Sequence, residues 1–158
     1  TLLKAIKLVK KRRIQLIIIG KGVEKNNLLK FIKNNKLNKT VKLIGYKKNP
    51  FKYIKQSQIF ILTSIFEGSP NVLIEAQYLK KYIISTDCPT GPREILQNGK
   101  FGELVKMGDY KNIARKLENF SYNDVVKKKV MLGFNNIKNY DHKKNCMKYY
   151  NLINEYLI

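Results

Sequence analysis

The stretch "IFILTSIFEGSPNVLIEAQYLKKYIIST" (residues 59–86) contains a complete strand–helix–strand unit. Residues 59–64 form a short apolar run that predicts a buried strand, and "YIIST" (residues 82–86) predicts a second one. Between them a helix is predicted over residues 70–80, with Pro70 at its first position and Ser69 as its cap. Two consecutive strands joined by a helix pair in parallel, so this unit predicts an α/β fold.

The same alternation of apolar runs and helical patterns continues in both directions from this unit. "IQLIII" (residues 14–19) is a continuous β-branched run that predicts a strand buried on both faces. The other predicted elements are a helix with its apolar stripe at Leu28, Phe31 and Ile32, a strand "VKLIGY", a short helix after Pro50, a short helix within "GPREILQNG", a strand "GELV", a helix opened by Asp109, and helices over residues 123–138 and 142–157. We therefore predict one domain: a Rossmann-like parallel sheet with helices on both faces, followed by C-terminal helices.

The first 13 residues, "TLLKAIKLVKKRR", predict a helix with no strand before it. In a parallel sheet such a helix normally crosses over from an earlier strand. The expectation is that the sequence begins part-way into a domain.

The charge of the chain is strongly positive, at +21, with 32 Lys plus Arg against 11 Asp plus Glu. The lysines are spread along the whole chain beside abundant Asn and Ile, which favours a general compositional bias over a dedicated patch. The densest basic segments are residues 4–13 and 127–148. A basic module that binds nucleic acid or an anionic membrane stays open as an alternative function.

The cysteines and the single histidine exclude several classes of site. Cys88 and Cys146 are too few for a disulfide scaffold, and with His142 as the only histidine they do not suggest a zinc site. Free thiols in a reducing cytoplasm are the simpler interpretation. A nucleophilic site would have to use His142, which lies in a lysine-rich segment far from a suitable turn.

Acidic side chains collect where a parallel sheet binds its ligands. Ligands of open parallel sheets bind beyond the carboxyl ends of the strands. Glu67, Glu75, Asp87 and Glu94 all fall in the two segments that follow the strands at residues 59–64 and 82–86. We expect the functional site at this edge.

Glu75 lies in an otherwise mostly apolar helix, whose core stripe is predicted to be Val72, Leu73, Ala76 and Leu79. A carboxylate beside a buried face is costly unless it is hydrogen-bonded, and a pair of hydroxyls, as on a ribose, would satisfy both oxygens. The alternative is a half-exposed Glu75 paired with a lysine, with Glu67 an ordinary loop acid.

Backbone groups at the same edge suit a phosphate. Gly68 allows the chain to approach a ligand closely, and the free N–H groups of Asn71 and Val72 would face the cleft at a helix N-terminus. Two other motifs are weaker. "GKG", from Gly20 to Gly22, lacks the full dinucleotide fingerprint, and Tyr46 is either a nucleobase contact or a buried turn aromatic.

The segment "EGSPNVLIE" (residues 67–75) resembles the E-x7-E motif of retaining glycosyltransferases of the GT-B architecture, most closely glycosyltransferase family four. The flanking pieces "LIIIGKG", "VKLIGYKKNPFKYIKQSQIFILTS" and "STDCPTGPREILQNGKFGELV" resemble its carboxy-terminal nucleotide-sugar-binding domain in the same order.

The resemblance implies roles for individual residues. Glu75 would bind the donor ribose, and Glu67, the catalytic candidate, would contact sugar hydroxyls near the reacting carbon. The remaining donor-binding residues it implies are Gly68, Ser69, Asn71 and Val72 at the diphosphate or sugar, Tyr46 at the base, and Gly20 and Gly22 along the cleft. No metal or other cofactor is implied, in keeping with the lack of an Asp-x-Asp sequence.

The resemblance also implies an activity. It is the retaining transfer of a hexose or N-acetylhexosamine from a nucleotide sugar to a lipid-linked glycan or surface polysaccharide, by a bacterial cytoplasmic enzyme. A UDP-sugar is the first expectation and a GDP-sugar the second. Contact with an anionic membrane at its inner face is a further expectation, and a nucleic-acid partner is not expected. Nucleotide-sugar epimerases share the architecture but would need more acid/base residues than this chain offers.

One departure from the family pattern concerns the start of the domain. Family members place an Arg and a Lys on a strand and loop that precede the opening helix, and no such segment occurs here. Residues 1–158 are therefore expected to be a donor-binding C-terminal domain without its first strand and without the N-terminal acceptor domain. The expectation is that the chain alone does not transfer sugar.

Overall fold

A computed structural model describes residues 1–10 and 13–157 of the 158-residue chain. Five strands and eight α-helices lie in these residues, with one turn of 3-10 helix at Ile137–Tyr140. In chain order they are α1 (Leu2–Leu8), β1 (Leu16–Ile19), α2 (Lys25–Asn34), β2 (Val41–Gly45), α3 (Phe51–Gln56), β3 (Ile59–Leu62), α4 (Asn71–Tyr78), β4 (Tyr82–Thr86), α5 (Pro92–Ile95), β5 (Glu103–Val105), α6 (Tyr110–Glu118), α7 (Asp124–Asn136) and α8 (His142–Tyr156).

The strands pair only in parallel, and they form two separate sheets. β1 pairs with β2, and β4 pairs with β3 on one side and with β5 on the other. Among residues 1–10 and 13–157 no strand ladder joins β1 or β2 to the other three strands. The predicted α/β class with parallel strands is confirmed, but the sheet is divided.

The central strand β4 is buried along its whole length, since it has a strand on each side and helices on both faces. Ile84 belongs to a core cluster with side chains of α1, α6 and α7. Ile83 points to the opposite face, where it packs with Leu73 and Ala76 of α4 and with α5. The helices thus cover both faces, as predicted.

β1 is more exposed than its sequence suggests. Ile17 is 43% exposed and no residue of β1 is fully buried, although "IQLIII" predicts a strand buried on both faces. That prediction is wrong because only one face of β1 is packed: Leu16 and Ile18 lie against a core cluster, whereas Ile17 on the other face belongs to no core cluster of the described residues. The four residues of β3, also an edge strand, are likewise only partly buried.

Helix α4 begins one residue later than predicted. Pro70 occupies the N-cap position with extended backbone, and no side chain caps the helix, so the predicted cap at Ser69 is wrong. Val72 is 37% exposed rather than part of the core stripe. Gln77 is buried instead, and its Nε2 donates a hydrogen bond to the carbonyl oxygen of Ile95 at 3.1 Å.

The C-terminal helices differ in how they pack. Asp109 caps α6 as predicted, accepting a hydrogen bond from the Asn112 N–H at 3.0 Å. α7 buries Val126, Val130 and Gly133 against the sheet side, whereas α8 buries no side chain. None of the helices that the structure describes is long and apolar enough to span a bilayer.

Candidate functional site

The loop after β3 carries Glu67 at the carboxyl edge of the sheet. Its carboxylate is half-buried, and Oε1 accepts a hydrogen bond from the Ser64 hydroxyl at 2.5 Å. No Lys or Arg of the described residues forms an ion pair with it. One carboxylate oxygen is therefore available to a ligand, while the other is held within the loop.

Glu75 lies one turn into α4, and among the described residues its side chain has no partner. Its side chain is half-buried, yet no hydrogen bond or ion pair joins it to another residue in the described ranges. The pairing with a lysine that would make Glu75 an ordinary surface acid is therefore absent among those residues. A half-buried carboxylate without a partner needs donors from water or a ligand.

A cleft of about 400 Å³ lies beside Glu75 and is mainly apolar. Three aromatic rings line it, those of Phe51 at the start of α3, Tyr78 on α4 and Tyr140. The remaining lining residues are Ile74, Leu79 and Ile137. Glu75 is the only charged side chain of this lining, which places a carboxylate at the edge of an aromatic surface.

The first turn of α4 presents free backbone donors. The N–H groups of Asn71 and Val72 form no hydrogen bond with any described residue, and the first helical bond comes from Leu73 to the carbonyl oxygen of Pro70 at 2.9 Å. The helix dipole adds positive potential there. This end of α4 is thus suited to an anion, and Gly68 and Ser69 just before it are exposed.

The loops after β1 and β2 lie together. The Gly20 N–H donates to the carbonyl oxygen of Gly45 at 3.0 Å, and Gly20 has a φ of 145°, which favours glycine. Lys21 Nζ lies 5.6 Å from the centre of the Tyr46 ring. Tyr46 is 63% exposed, so it is not a buried turn aromatic. Gly22 is exposed in the same turn.

The predicted site residues thus form two groups. The first consists of Gly20, Gly22 and Tyr46, and the second of Glu67, Gly68, Ser69, Asn71, Val72 and Glu75. In the part of the chain that the structure describes, no hydrogen bond or ion pair connects the two groups.

The other two acids at this edge have different surroundings. Asp87 forms an ion pair with Arg93, whose Nε lies 3.1 Å from Asp87 Oδ1. Glu94 is exposed on the short helix α5. Asp87 is therefore neutralised within its own segment, unlike Glu67 and Glu75.

Residues 86–91, at the end of β4 and just after it, hold the loop that carries Glu67. The sequence did not predict these contacts. Thr86 Oγ1 donates to the carbonyl oxygen of Ser64 at 2.5 Å, and Thr90 Oγ1 donates to that of Glu67. Gly91 packs directly on Gly68 and Pro70. The available signal was the "TGP" triplet, which marks a turn but does not show what the turn contacts.

Cys88 is buried in this segment, and its surroundings keep the thiol protonated. Burial raises the pKa of the Cys88 thiol, and the negative charges of Glu67 and Asp87 raise it further. The free thiols predicted from the sequence are both found, with Cys146 exposed on α8. Among the described residues no group of three or more His, Cys, Asp and Glu side chains is placed to hold a metal ion.

Sequence comparison finds relatives over most of this chain. The model of the family "Glycosyl transferases group 1" matches residues 1–139. The N-acetylgalactosamine-N,N'-diacetylbacillosaminyl-diphospho-undecaprenol 4-alpha-N-acetylgalactosaminyltransferase of Campylobacter jejuni is 35% identical over 118 residues, covering 75% of this chain and 32% of that enzyme. An uncharacterised glycosyltransferase of Methanocaldococcus jannaschii is 46% identical over 105 residues, covering 58% of this chain and 26% of its own length. The matches thus span about a third or less of these relatives.

Structural comparison finds the same fold in solved enzymes. TarM of S. aureus matches with a TM-score of 0.86 at 27% identity, over 97% of this chain and 32% of TarM. HepE of Anabaena, solved in complex with UDP, matches with a TM-score of 0.85 over 98% of this chain and 44% of HepE. At 16% identity, HepE shows the fold alone. The α/β architecture, with parallel strands and helices on both faces, matches that of GT-B glycosyltransferases.

Proposed function

Since the chain belongs to the glycosyl transferases group 1 family, we propose that it binds the nucleotide-diphosphate sugar of a GT-B enzyme. The transfer would retain the configuration of a hexose or N-acetylhexosamine, and the acceptor would be a lipid-linked glycan or a surface polysaccharide. The activity of the whole enzyme is part of the proposal, because the chain corresponds to about a third of its relatives.

The observation that carries the proposal is the half-buried Glu75 without a partner among the described residues. A ribose offers two adjacent hydroxyl donors, and each hydrogen bond to a charged acceptor contributes about 1.5–3 kcal/mol. The aromatic cleft beside Glu75 gives apolar contact area near those hydroxyls. Glu75 also lies at the carboxyl edge of the strands, which is where parallel sheets bind nucleotides.

The diphosphate would lie at the start of α4. The free amides of Asn71 and Val72 and the dipole of the helix stabilise negative charge there, including the charge that develops on the leaving diphosphate. Ser69 and Gly68 would contribute backbone groups beside it. In this proposal the amides and the helix dipole, rather than a metal ion, would balance the charge of the diphosphate.

The base and the sugar would extend in opposite directions from the diphosphate. The main chain near Tyr46 would pair with the base, and Gly20 and Gly22 would line the cleft. Glu67, with one carboxylate oxygen free, would bind sugar hydroxyls near the reacting carbon. UDP is the first candidate for the nucleotide, since structures of both TarM and HepE were solved with UDP, and GDP is the second.

Calorimetric titration of the 158-residue protein with UDP, GDP and ADP tests the proposal. We expect selective binding of one nucleotide, weakened by at least roughly 100-fold in Glu75→Ala, because two hydrogen bonds to a charged group are lost. Glu155→Ala on α8 is the matched control and should bind like the wild type. Equal affinity for all three nucleotides, or full affinity in Glu75→Ala, contradicts the proposal.

The divided sheet supports a further part of the proposal. We propose that one more parallel strand, from outside these 158 residues, pairs between β1 and β3. In the standard doubly wound order 3-2-1-4-5-6, removal of the first strand leaves one pair and one triplet. The observed sheets, β1–β2 and β3–β4–β5, have this composition. The partial exposure of Ile17 and of β3 agrees with a missing neighbour.

A chimeric protein tests for the extra strand. The segment that precedes the matched region of the Campylobacter jejuni relative would be fused ahead of Thr1, with a Gly/Ser segment of equal length as control. We expect slower hydrogen exchange at alternate amides of β1 and β3 in the chimera only, since an added strand pairs with every second residue on each edge. Unchanged exchange in β1 and β3 argues against a strand at that position.

A second candidate function, attachment to an anionic membrane, is favoured by α8. This helix buries no side chain, and Tyr149, Tyr150, Leu152, Ile153 and Tyr156 are all exposed. Such apolar side chains beside lysines suit the surface of an anionic bilayer. Co-sedimentation with phosphatidylserine vesicles, but not phosphatidylcholine vesicles, and its loss after removal of residues 142–158 is the expected result. Equal sedimentation of the shortened chain contradicts it.

A further inference from the structure

The two apolar residues that precede Glu67 do not anchor its loop. Ile65 and Phe66 are 75% and 74% exposed. Burial of these two side chains therefore does not fix the loop over the core. Its conformation depends on contacts with another segment.

That other segment is residues 86–91, which start at the last residue of β4. Thr86 Oγ1 donates to the carbonyl oxygen of Ser64 at 2.5 Å, at the start of the loop. Thr90 Oγ1 donates to the carbonyl oxygen of Glu67 itself. The two hydroxyls thus hold the backbone on both sides of Ile65 and Phe66.

Gly91 provides a third contact, between backbones. A Cβ on Gly91 would lie 2.5 Å from the carbonyl oxygen of Gly68 and 2.5 Å from Cδ of Pro70. Its φ of 86° is a conformation that other residues rarely adopt. The loop and the β4 segment therefore meet more closely here than any larger residue permits.

We infer that Ser64, Thr86, Thr90 and Gly91 are positioning residues that set the direction of the Glu67 carboxylate. Ser64 holds Oε1 of Glu67, and the other three hold the backbone that carries both residues. Oε2 is left free for a hydroxyl of the donor sugar. This role rests on the proposed function, since it assigns Glu67 to the sugar.

The inference predicts a split between two ligands. UDP has no sugar beyond its diphosphate, so its affinity should not depend on Glu67. A UDP-sugar gains additional affinity only if Glu67 points at the sugar hydroxyls. Loss of a positioning contact should therefore reduce that additional affinity, whereas general loosening of the site would weaken both ligands together.

The test uses Thr90→Val, which removes the hydroxyl and keeps the shape, and Thr90→Ser, which keeps the hydroxyl. Thr63→Val is the matched control, because no hydrogen bond of the Thr63 side chain occurs in the described structure. UDP and UDP-N-acetylglucosamine, UDP-glucose and UDP-galactose would be titrated into each variant. The affinity for the preferred UDP-sugar divided by the affinity for UDP should fall roughly fivefold in Thr90→Val, and in neither of the other two variants. An equal loss for UDP and UDP-sugar, or no loss for either, would overturn the inference.

A measurement without ligand separates this inference from the proposed function. Hydrogen exchange at the amides of residues 65–68 should be roughly tenfold faster in Thr90→Val than in Thr63→Val or Thr90→Ser. Equal exchange in all three variants would overturn the inference. If the wild type binds no nucleotide, the proposed function fails, and the exchange result still decides whether residues 86–91 hold the loop.

Discussion

Two acids at opposite ends of the strands have opposite surroundings. Glu103, at the start of β5, accepts hydrogen bonds from Tyr82 at 2.9 Å, Lys116 at 2.5 Å and Lys129 at 2.6 Å. Glu75, on the helix that follows the far end of β3, has no partner among the described residues. Within the described residues, Glu103 has three hydrogen-bond donors and the Glu75 carboxylate has none.

A structural acid is marked by the donors that the fold itself supplies. Burial alone would raise the pKa of Glu103, but the hydrogen bonds from Lys116, Lys129 and Tyr82 outweigh burial and lower that pKa to about 2. Burial, together with the Glu103 charge, raises the pKa of the Tyr82 phenol. Glu103 therefore contributes to folding, whereas no described residue donates a hydrogen bond to the Glu75 carboxylate.

The largest expected effect is that of Glu103→Gln on stability. Removal of the charge leaves Lys116 and Lys129 without their partner, and we expect the free energy of unfolding to fall by about 2–3 kcal/mol. Urea unfolding at pH 7 measures it. Nucleotide affinity measured at urea concentrations well below the unfolding transition should be unchanged. A loss of affinity would mean that Glu103 is not purely structural and would contradict its contrast with Glu75.

Acid should remove the same contribution from the wild type. The folded pKa of Glu103 lies below its ordinary value of 4.5, so its contribution is complete above pH 4.5 and is lost as the pH falls toward 2. After allowance for partial exposure, we expect a loss of about 1–2 kcal/mol between pH 6 and 3 from this group. Urea unfolding across this range should show a shallower loss in Glu103→Gln. Parallel curves for the two proteins contradict this assignment.

Glu75→Gln should have a smaller effect on stability, with the opposite sign. A half-buried charge without a partner costs free energy, so its neutral counterpart should be as stable as the wild type, or more stable by up to about 1 kcal/mol. Thermal unfolding in the absence of nucleotide measures this difference. A destabilised Glu75→Gln protein would mean that the carboxylate has a partner within the fold after all.

The smallest effect is expected for the surface pair on α7. Lys127 Nζ lies 3.2 Å from Asp124 Oδ1, and the Asp124 side chain is 96% exposed. Asp124→Asn should change the free energy of unfolding by less than about 0.5 kcal/mol. This variant is the control for Glu103→Gln, and a comparable loss in both would remove the special status of Glu103.

The sequence predicted the fold wherever local pattern and packing agree. "YIIST" gave β4 with the observed bounds, since a short run rich in β-branched residues suits a strand with neighbours on both sides. The same pattern gave the wrong burial for β1, because only the face with Leu16 and Ile18 packs against a core cluster, whereas Ile17 on the other face is 43% exposed. An apolar pattern shows that a strand is suited to burial. It does not show whether other side chains pack on both of its faces.

For the candidate site, spacing along the chain was sufficient for some features only. The half-buried position of Glu75 followed from its place in an apolar helix. The hydroxyls of Thr86 and Thr90 could not be predicted, because their acceptors lie 22 and 23 residues away on another loop. The partners of Glu103 are 13 to 26 residues distant, and no periodic pattern connects them.

The two cysteines give this chain an internal chemical reporter. Cys146 is exposed on α8, whereas Cys88 is 2% exposed within the segment that holds the Glu67 loop. A thiol-specific reagent would therefore modify Cys146 at once and reach Cys88 only when residues 86–91 move away. The rate of the second modification measures how often the loop is released, without any label, substrate or engineered residue.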